Sequence, residues 1–95
     1  MKRVALLGAT GSIGRQALEV VDAHPELILC ALASRSTDVR HLAEARKVVH
    51  FQTGGDATEL LEAAAPDVVL NAVPGFAGLP ATLWALERGV DLALA

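Results

Sequence analysis

The sequence predicts an α/β protein of three layers, in which helices cover both faces of a doubly wound parallel sheet of about five strands. Apolar runs of strand length alternate along the chain with segments whose apolar residues recur at helical spacing, as in successive βαβ units. At 95 residues with 53% hydrophobic positions, the chain is long enough for one core and short enough to be one domain. Residues 1–95 are therefore treated as a single domain.

Five apolar runs have the length of strands, at 4–7, 27–33, 48–51, 67–73 and 90–95. The second, "LILCALA", is apolar throughout, as expected of a central strand with helices on both faces. The third is the weakest. In such a sheet the ligand crevice lies outside the carboxyl ends of the strands, where the strand order reverses.

Four helices are predicted between these strands. The first follows the segment 8–14 and ends before Pro25, because proline cannot continue a helix. The second is capped by Thr37 or Asp38. It runs to about Lys47, and the third and fourth helices are predicted at 57–65 and 79–88. The apolar faces carry, in chain order, Ile13, Ala17, Val20 and Val21; Val39, Leu42 and Ala43; Leu60, Leu61 and Ala64; and Leu79, Leu83 and Leu86.

Composition excludes several classes of function. The net charge is −3 and the pI is near 5.5, so no basic surplus indicates a nucleic-acid partner. No apolar run reaches the roughly 18 residues that span a bilayer, which predicts no membrane partner. Cys30, the one cysteine, is expected inside a strand and suits a reducing compartment. We expect a cytoplasmic protein.

The titratable residues form no recognisable catalytic or metal-binding pattern. His24, His41 and His50 lack the spacing of a metal site, and the acidic residues are scattered over helix faces. The absence of tyrosine excludes a tyrosine acid or base. We therefore expect neither a metal ion nor a catalytic residue on this chain.

The segment "GATGSIG", residues 8–14, is the strongest functional signal. Gly8, Gly11 and Gly14 can serve as the turn after a strand, the close approach to a pyrophosphate, and the close packing of helix on strand. The backbone N–H groups of Ser12 and Ile13 open a helix whose dipole favours an anion. This pattern predicts a Rossmann-like nucleotide site, the alternative being a tight turn that binds nothing.

The choice of cofactor is expected at the end of the second strand, where an acid selects NAD and an arginine accommodates a 2′-phosphate. The chain has "ASRST" here, with no acid before Asp38. Arg35 can meet a phosphate with its planar fork, and the hydroxyls of Ser34 and Ser36 can add donors. NADPH is therefore the predicted cofactor, the alternative being that Arg35 is an exposed loop cation.

The loop after the fourth strand, "NAVPGFAG", should lie beside the glycine turn. Ala72, Val73 and Gly75 are small enough to let the nicotinamide half of the cofactor pass, although packing alone can also require small residues. Asn71 is expected to be a buried amide that links neighbouring loops.

Three stretches together carry a resemblance to a known family: "GATGSIGRQALEVVDAHPE", "ALASRS" and "NAVPGFAGLPATLWALERGVDLALA". They closely resemble the amino-terminal domain of the 1-deoxy-D-xylulose 5-phosphate reductoisomerases of the non-mevalonate isoprenoid pathway. The resemblance covers nearly the whole chain. Its "TGSIG" turn is shared with other Rossmann enzymes, whereas the stretch after the fourth strand is more specific.

The resemblance implies an NADPH-dependent oxidoreductase that converts 1-deoxy-D-xylulose 5-phosphate to 2-C-methyl-D-erythritol 4-phosphate, with Mg²⁺ or Mn²⁺, as a homodimer. The family's pyrophosphate contacts fall on Thr10, Gly11, Ser12 and Ile13, and its 2′-phosphate contacts on Ser34, Arg35 and Ser36. The family continues with an Asn-Lys-Glu segment and a metal-binding catalytic domain that this sequence lacks. We therefore expect this chain to bind the cofactor without catalysing the reaction. The connection between the second and fourth strands is also shorter here than is usual in the family, which puts the third strand in doubt.

Two alternatives stay open on the sequence. One is the nucleotide domain of another NAD(P) enzyme, such as a semialdehyde dehydrogenase or a dihydrodipicolinate reductase. The other is a non-catalytic nucleotide sensor, for which mononucleotides and dinucleotides would bind with comparable affinity.

Overall fold

The computed structural model describes residues 1–94 and contains five strands and four α-helices. The strands are β1 Lys2–Leu7, β2 Leu27–Ser34, β3 His50–Thr53, β4 Val68–Asn71 and β5 Asp91–Leu94. The helices are α1 Ser12–Ala23, α2 Arg40–Ala45, α3 Thr58–Ala64 and α4 Leu79–Arg88, and a 3₁₀ turn at Gly75–Gly78 precedes α4. All five predicted strands are present, including the weak third one. The fifth was predicted to reach Ala95, which lies outside the described residues.

All neighbouring strands of the sheet are parallel, in the order β3-β2-β1-β4-β5. The chain starts in the middle at β1, winds outward through β2 to β3, and then crosses back to β4 and β5. The connections after β1 and β4 therefore leave the sheet in opposite directions, which opens a crevice at their carboxyl ends. The predicted doubly wound sheet is confirmed.

Two apolar clusters lie on opposite faces of the sheet and make three layers. One cluster packs α1 and α2 on the sheet and includes Leu6, Leu18, Leu32, Val39 and Ala43. The other packs α3 and α4 on the opposite face and includes Leu7, Leu61, Val69, Trp84 and Ala85. The apolar residues predicted for the second and third helices are buried or partly buried in these clusters, as expected.

A bulge in β2 places Cys30 in the core. The register pairs Val4 with Leu29 but Ala5 with Ala31, so Cys30 is the extra residue on β2. It is buried as predicted, and burial raises the pKa of its thiol. A buried thiol with a raised pKa is unreactive, so this cysteine belongs to the packing and not to a reaction.

The buried face of α1 matches the predicted one only in part. Val21 is buried as predicted, and Ala17 packs against the apolar cluster on this side of the sheet. Ile13 and Val20, by contrast, are 49% and 53% exposed, and Gly14 and Leu18 are buried instead. The cause is the approach of the helix to the sheet. A Cβ atom at position 14 would lie 1.9 Å from the carbonyl oxygen of Gly8. Helix α1 therefore turns its glycine toward β1, and this rotation carries two larger apolar side chains outward.

The apolar face predicted for α4 also points away from the sheet. Leu79, Leu83 and Leu86 are exposed, while Ala81, Trp84 and Ala85 are buried. Two alanines let α4 lie close to β4 and β5. The Trp84 indole fills the remaining space, and its Nε1–H donates to Glu62 Oε1 on α3 at 2.9 Å.

Several elements also differ from their predicted bounds. Strand β3 runs over His50–Thr53 instead of 48–51. Strand β4 ends at Asn71 instead of residue 73, because the backbone beyond it joins the crevice. Helix α2 ends at Ala45, and Lys47 has a positive φ of 57°, which ends a helix. The N-cap residue of α2 is Val39, which makes no side-chain cap hydrogen bond, so neither Thr37 nor Asp38 is the cap residue. Asp38 lies one residue earlier, and its Oδ1 accepts the Arg40 backbone N–H at 2.9 Å.

The contact of Gly14 with Gly8 predicts a large loss of stability for Gly14→Ala. The added methyl group cannot fit without separating α1 from β1, and overpacking of this kind costs about 1–3 kcal/mol of the free energy of unfolding or more. Urea unfolding followed by circular dichroism measures it. Gly11→Ala is the matched control, because a Cβ there meets only the Gly8 carbonyl oxygen at an ordinary 3.7 Å. Equal stabilities of the two variants would contradict this account of the helix approach.

Candidate functional site

The turn after β1 requires a glycine at position 8 for two separate reasons. Gly8 has a φ of +80°, in the left-handed region that favours glycine. A Cβ atom there would also lie 2.8 Å from the Ala72 carbonyl oxygen. The N–H groups of Gly8 and Ala9 both donate to the Ala33 carbonyl, at 2.9 and 3.0 Å. The turn is thus fixed against the ends of both β2 and β4.

The N-terminus of α1 points into the same crevice with its N–H groups uncapped. Gly11 is the N-cap residue, no side chain within the described residues caps the helix, and its first turn holds no acidic residue. The first N–H groups of a helix, here those of Ser12 and Ile13, have no partner inside the helix. They and the helix dipole form an anion-binding end.

A cavity of about 180 Å³ lies where the loops after β1, β2 and β4 meet. Its lining residues are Gly8, Thr10, Gly11, Arg35, Ser36, Ala72, Val73 and Pro74. All of these except Pro74 are residues that the sequence predicts for cofactor binding. The structure therefore brings together three segments that are separated by some 60 residues of chain.

Arg35 and Ser36 are exposed on the loop after β2, beside this cavity. Among the ion pairs between described residues, none involves Arg35, so its guanidinium can receive an anion. Ser34 differs from its two neighbours. It is 5% exposed, and its hydroxyl donates to the Thr37 carbonyl. The expected phosphate donor at Ser34 is thus engaged in shaping the loop.

Ser12, Ile13 and Gly75 are predicted residues that do not line this cavity. The first two are the first residues of α1, and the role predicted for them uses their backbone N–H groups. Gly75 begins the 3₁₀ turn and has a φ of +67°. Gly75 therefore sets the direction in which the chain enters the 3₁₀ turn. The small residues that line the cavity are Ala72 and Val73.

A second cavity, of about 390 Å³, adjoins the first and was not predicted from the sequence. The two share Gly8, Arg35 and Val73. Its further walls come from the turn after β3 and the start of α4, and include Gln52, Gly54, Gly55, Asp56, Ala77, Gly78 and Ala81. The sequence signal for this cavity is "TGG" at 53–55, whose two glycines follow β3 at the same edge of the sheet.

Asn71 links the loop after β4 to α4, as expected. Its side chain is 3% exposed. Nδ2 donates to the Gly78 carbonyl at 2.8 Å and to Thr82 Oγ1 at 3.0 Å, and Oδ1 accepts the Val73 N–H at 3.2 Å. A Cβ at Gly78 would lie 2.5 Å from the Val73 carbonyl oxygen. Asn71 and Gly78 therefore fix the backbone of Val73 at the wall of the cavity.

Residues 1–94 offer neither a cluster of metal ligands nor a helix that could span a membrane. No group of three or more His, Cys, Asp or Glu side chains in this range is placed to hold a metal ion. No helix in it combines the length and apolarity needed to cross a membrane.

Comparison with known families agrees with this geometry. The family model described as 1-deoxy-D-xylulose 5-phosphate reductoisomerase matches residues 4–53 and 34–95, which together span nearly the whole chain. The chain belongs to the 1-deoxy-D-xylulose 5-phosphate reductoisomerase family. This membership decides against the other NAD(P) enzyme families considered from the sequence.

Curated reductoisomerases of this family are similar along the full chain. The enzyme of Leifsonia xyli subsp. xyli is 43% identical over 99 residues, and that of Tropheryma whipplei (strain Twist) is 40% identical over 99 residues. Each alignment covers 100% of this chain and 27% of the relative. The chain thus spans about a quarter of the length of these reductoisomerases.

Solved reductoisomerase structures share the fold. A crystal structure of DOX-P reductoisomerase in complex with magnesium has a TM-score of 0.84 and 30% identity, covering 100% of this chain and 30% of that one. The Zymomonas mobilis reductoisomerase in complex with NADPH has a TM-score of 0.71 and 26% identity, covering 99% of this chain and 31% of that one.

The two segments matched by the reductoisomerase model overlap at residues 34–53, which run from the end of β2 to the end of β3. The Rhodococcus jostii relative aligns over 114 positions, more than the 95 residues of this chain, so it carries inserted residues. The overlap falls on the connection between the second and fourth strands that the sequence predicts to be short.

The network around Asn71 predicts that Asn71→Leu destabilises the reductoisomerase domain. The substitution leaves the buried Gly78 carbonyl and Val73 N–H without their side-chain partner, which costs about 1–3 kcal/mol of the free energy of unfolding. Thermal and urea unfolding measure the loss. Thr82→Val, which removes only one of the three hydrogen bonds, should cost less. A larger loss for Thr82→Val than for Asn71→Leu would refute the assignment of Asn71 as the link.

Proposed function

We propose that this chain is the NADPH-binding domain of a 1-deoxy-D-xylulose 5-phosphate reductoisomerase. The observation that carries the proposal is the cavity at which the glycine turn, the Arg35 loop and the loop after β4 meet. Each of the three contributes a different property: an uncapped helix end, a free guanidinium and a wall of small residues. These are the three properties that a phosphorylated dinucleotide requires.

The pyrophosphate is proposed to lie over the N-terminus of α1. Thr10 and Gly11 line the cavity there, and the N–H groups of Ser12 and Ile13 provide the donors. A Cβ at Gly11 would face open space apart from the Gly8 carbonyl oxygen, so the glycine lets a phosphate approach the backbone. The chain carries a net charge of −3, which makes this local donor set necessary.

The 2′-phosphate is proposed to contact Arg35 and Ser36. Arginine presents parallel N–H donors that match two phosphate oxygens, and such charge-assisted hydrogen bonds are about twice as strong as neutral ones. Ser34 contributes indirectly, through the hydrogen bond of its hydroxyl to the Thr37 carbonyl. This bond folds the loop so that residues 35 and 36 face outward.

These two anchors fix the direction of the cofactor across the sheet. With the pyrophosphate at β1 and the 2′-phosphate at the end of β2, the adenine ring enters the 390 Å³ cavity between β2, β3 and α4. The nicotinamide half extends the other way, past Ala72 and Val73. The close contact of the Ala72 carbonyl with Gly8 keeps that path narrow.

The activity of the whole protein is proposed from the family. A full-length reductoisomerase would rearrange 1-deoxy-D-xylulose 5-phosphate and reduce the product with NADPH in isoprenoid biosynthesis, as a cytoplasmic homodimer. Magnesium is present in a related reductoisomerase structure. The described residues of this chain offer no group that fits a divalent ion. We therefore assign to this chain only the binding and orientation of the nucleotide.

Binding selectivity tests the proposal. Calorimetric titration at low salt is expected to show at least about a tenfold preference for NADPH over NADH, since a charge-assisted pair is worth about 1.5–3 kcal/mol. Arg35→Ala should abolish this preference and leave NADH binding nearly unchanged. Lys47→Ala is the control, because it removes the same charge beyond the far end of α2.

Three results of that titration, extended to a mononucleotide such as AMP, would contradict the proposal. Equal binding of NADPH and NADH by the unmodified protein would remove Arg35 from the site. Binding of neither would leave the glycines as a structural turn. Comparable affinity for mononucleotides and dinucleotides would favour a nucleotide sensor.

Catalysis is expected to be absent from this chain alone. With 1-deoxy-D-xylulose 5-phosphate, NADPH and Mg²⁺ present together, the 340 nm absorbance of NADPH should stay constant, because the described residues include no metal site. A full-length family member serves as the positive control. Substrate-dependent oxidation of NADPH by this chain would show that it holds the chemistry as well as the cofactor.

A further inference from the structure

The turn after β3, residues 53–56, packs directly against the loop that carries Arg35. We refer to these two segments as the β3 turn and the specificity loop, residues 34–37. The Gly54 N–H donates to the Ser34 carbonyl at 2.8 Å. Gly54 has a φ of +76°, and a Cβ atom there would lie 3.3 Å from the Arg35 carbonyl oxygen. The backbone of Arg35 therefore packs closely against Gly54, where a larger residue would press on it.

The β3 turn is itself held in shape by Gln52. Its Nε2 donates to the Gly54 carbonyl at 2.9 Å and to the Asp56 carbonyl at 3.0 Å. One side-chain amide thus closes the turn from both ends. Gln52 is half-buried on β3, so the hydrogen bonds of its amide hold Gly54 in a fixed position relative to the strand.

A second connection joins the two segments at the far end of the specificity loop. The Thr37 carbonyl accepts the hydroxyl of Ser34 and also that of Thr53, the latter at 3.4 Å. The loop is therefore supported by the β3 turn at Ser34 and at Thr37. Arg35 lies between these two supports, with its backbone fixed and its guanidinium without an ion-pair partner among the described residues.

We infer that the β3 turn positions Arg35, and that Gly54 is a specificity-determining residue which acts on the 2′-phosphate through the Arg35 backbone. This inference rests on the proposed function. A guanidinium binds phosphate through a planar fork, so its contribution depends on orientation more than that of a point charge does. A displacement of the Arg35 backbone should therefore weaken NADPH binding while NADH, which lacks the 2′-phosphate, is much less affected.

Two adjacent glycines provide a matched pair of variants. Gly54 and Gly55 have nearly equal positive φ values, +76° and +74°, so alanine strains the backbone similarly at both. Only at position 54 does the added Cβ meet Arg35. At position 55 its nearest neighbour within 4 Å is the flexible Gln52 amide, at 3.8 Å. The pair separates a general loss of stability from a displacement of the specificity loop.

The experiment titrates the purified protein and each variant with NADPH and with NADH, well below the midpoint of thermal unfolding, and compares the ratio of the two dissociation constants. Gly54→Ala is expected to lower the preference for NADPH by about fivefold or more. Gly55 lines the cavity proposed for the adenine ring, which NADPH and NADH share, so Gly55→Ala affects both dissociation constants alike and changes their ratio by less than about twofold. Gln52→Met keeps the size of the side chain but removes both amide hydrogen bonds. It should shift the ratio in the same direction as Gly54→Ala, and it serves as the test if Gly54→Ala does not fold.

The outcomes separate this inference from the proposed function. If the unmodified protein prefers NADPH and loses the preference in Arg35→Ala, the proposed function stands. Equal ratios for Gly54→Ala and Gly55→Ala, or an unchanged ratio for a folded Gln52→Met, would then overturn the role of the β3 turn alone. If the unmodified protein does not distinguish NADPH from NADH, the proposed function fails, and this inference fails with it.

Discussion

The approach of α1 to the turn after β1 is the contact on which the rest of the carboxyl edge depends. At Gly14 there is no space for even one methyl group beside the Gly8 carbonyl, and at Gly8 none beside the Ala72 carbonyl. Backbone from a helix, a turn and a second loop is thus packed without intervening side chains. Because packed backbone has few ways to rearrange, the N-terminus of α1 keeps a fixed position relative to β1 and β4.

Backbone hydrogen bonds extend this order along the edge of the sheet. The β3 turn donates to the end of β2, the turn after β1 donates to the end of β2, and Ala72 N–H donates to the Leu7 carbonyl at 2.9 Å. Neighbouring loops are thus tied to one another by groups that do not depend on side-chain identity. The backbone of these loops therefore has a fixed shape, and side chains such as Arg35 provide the chemical specificity.

The parts of this structure that local patterns determine could be predicted from the sequence. The glycine spacing at 8, 11 and 14 and the apolar runs gave the fold class and most of the cavity lining. The outward positions of Ile13 and Val20 on α1, and of the leucines on α4, could not be found in this way, because they depend on which residue fits against the sheet. Gly14 sets the approach of α1, and Trp84 with two alanines fills the space under α4. The role of the β3 turn could not be predicted from the sequence, because its contact with Ser34 forms only when β2 and β3 pair.

The buried Cys30, at the bulge of β2, can report local unfolding of the domain. A thiol reacts as the thiolate, and burial raises the pKa of this one, so alkylation must await an excursion that exposes β2. The chain has one cysteine, and it belongs to the buried apolar cluster that β1, β2 and α3 share. The labelling rate of the unmodified protein therefore counts how often its interior is open to solvent.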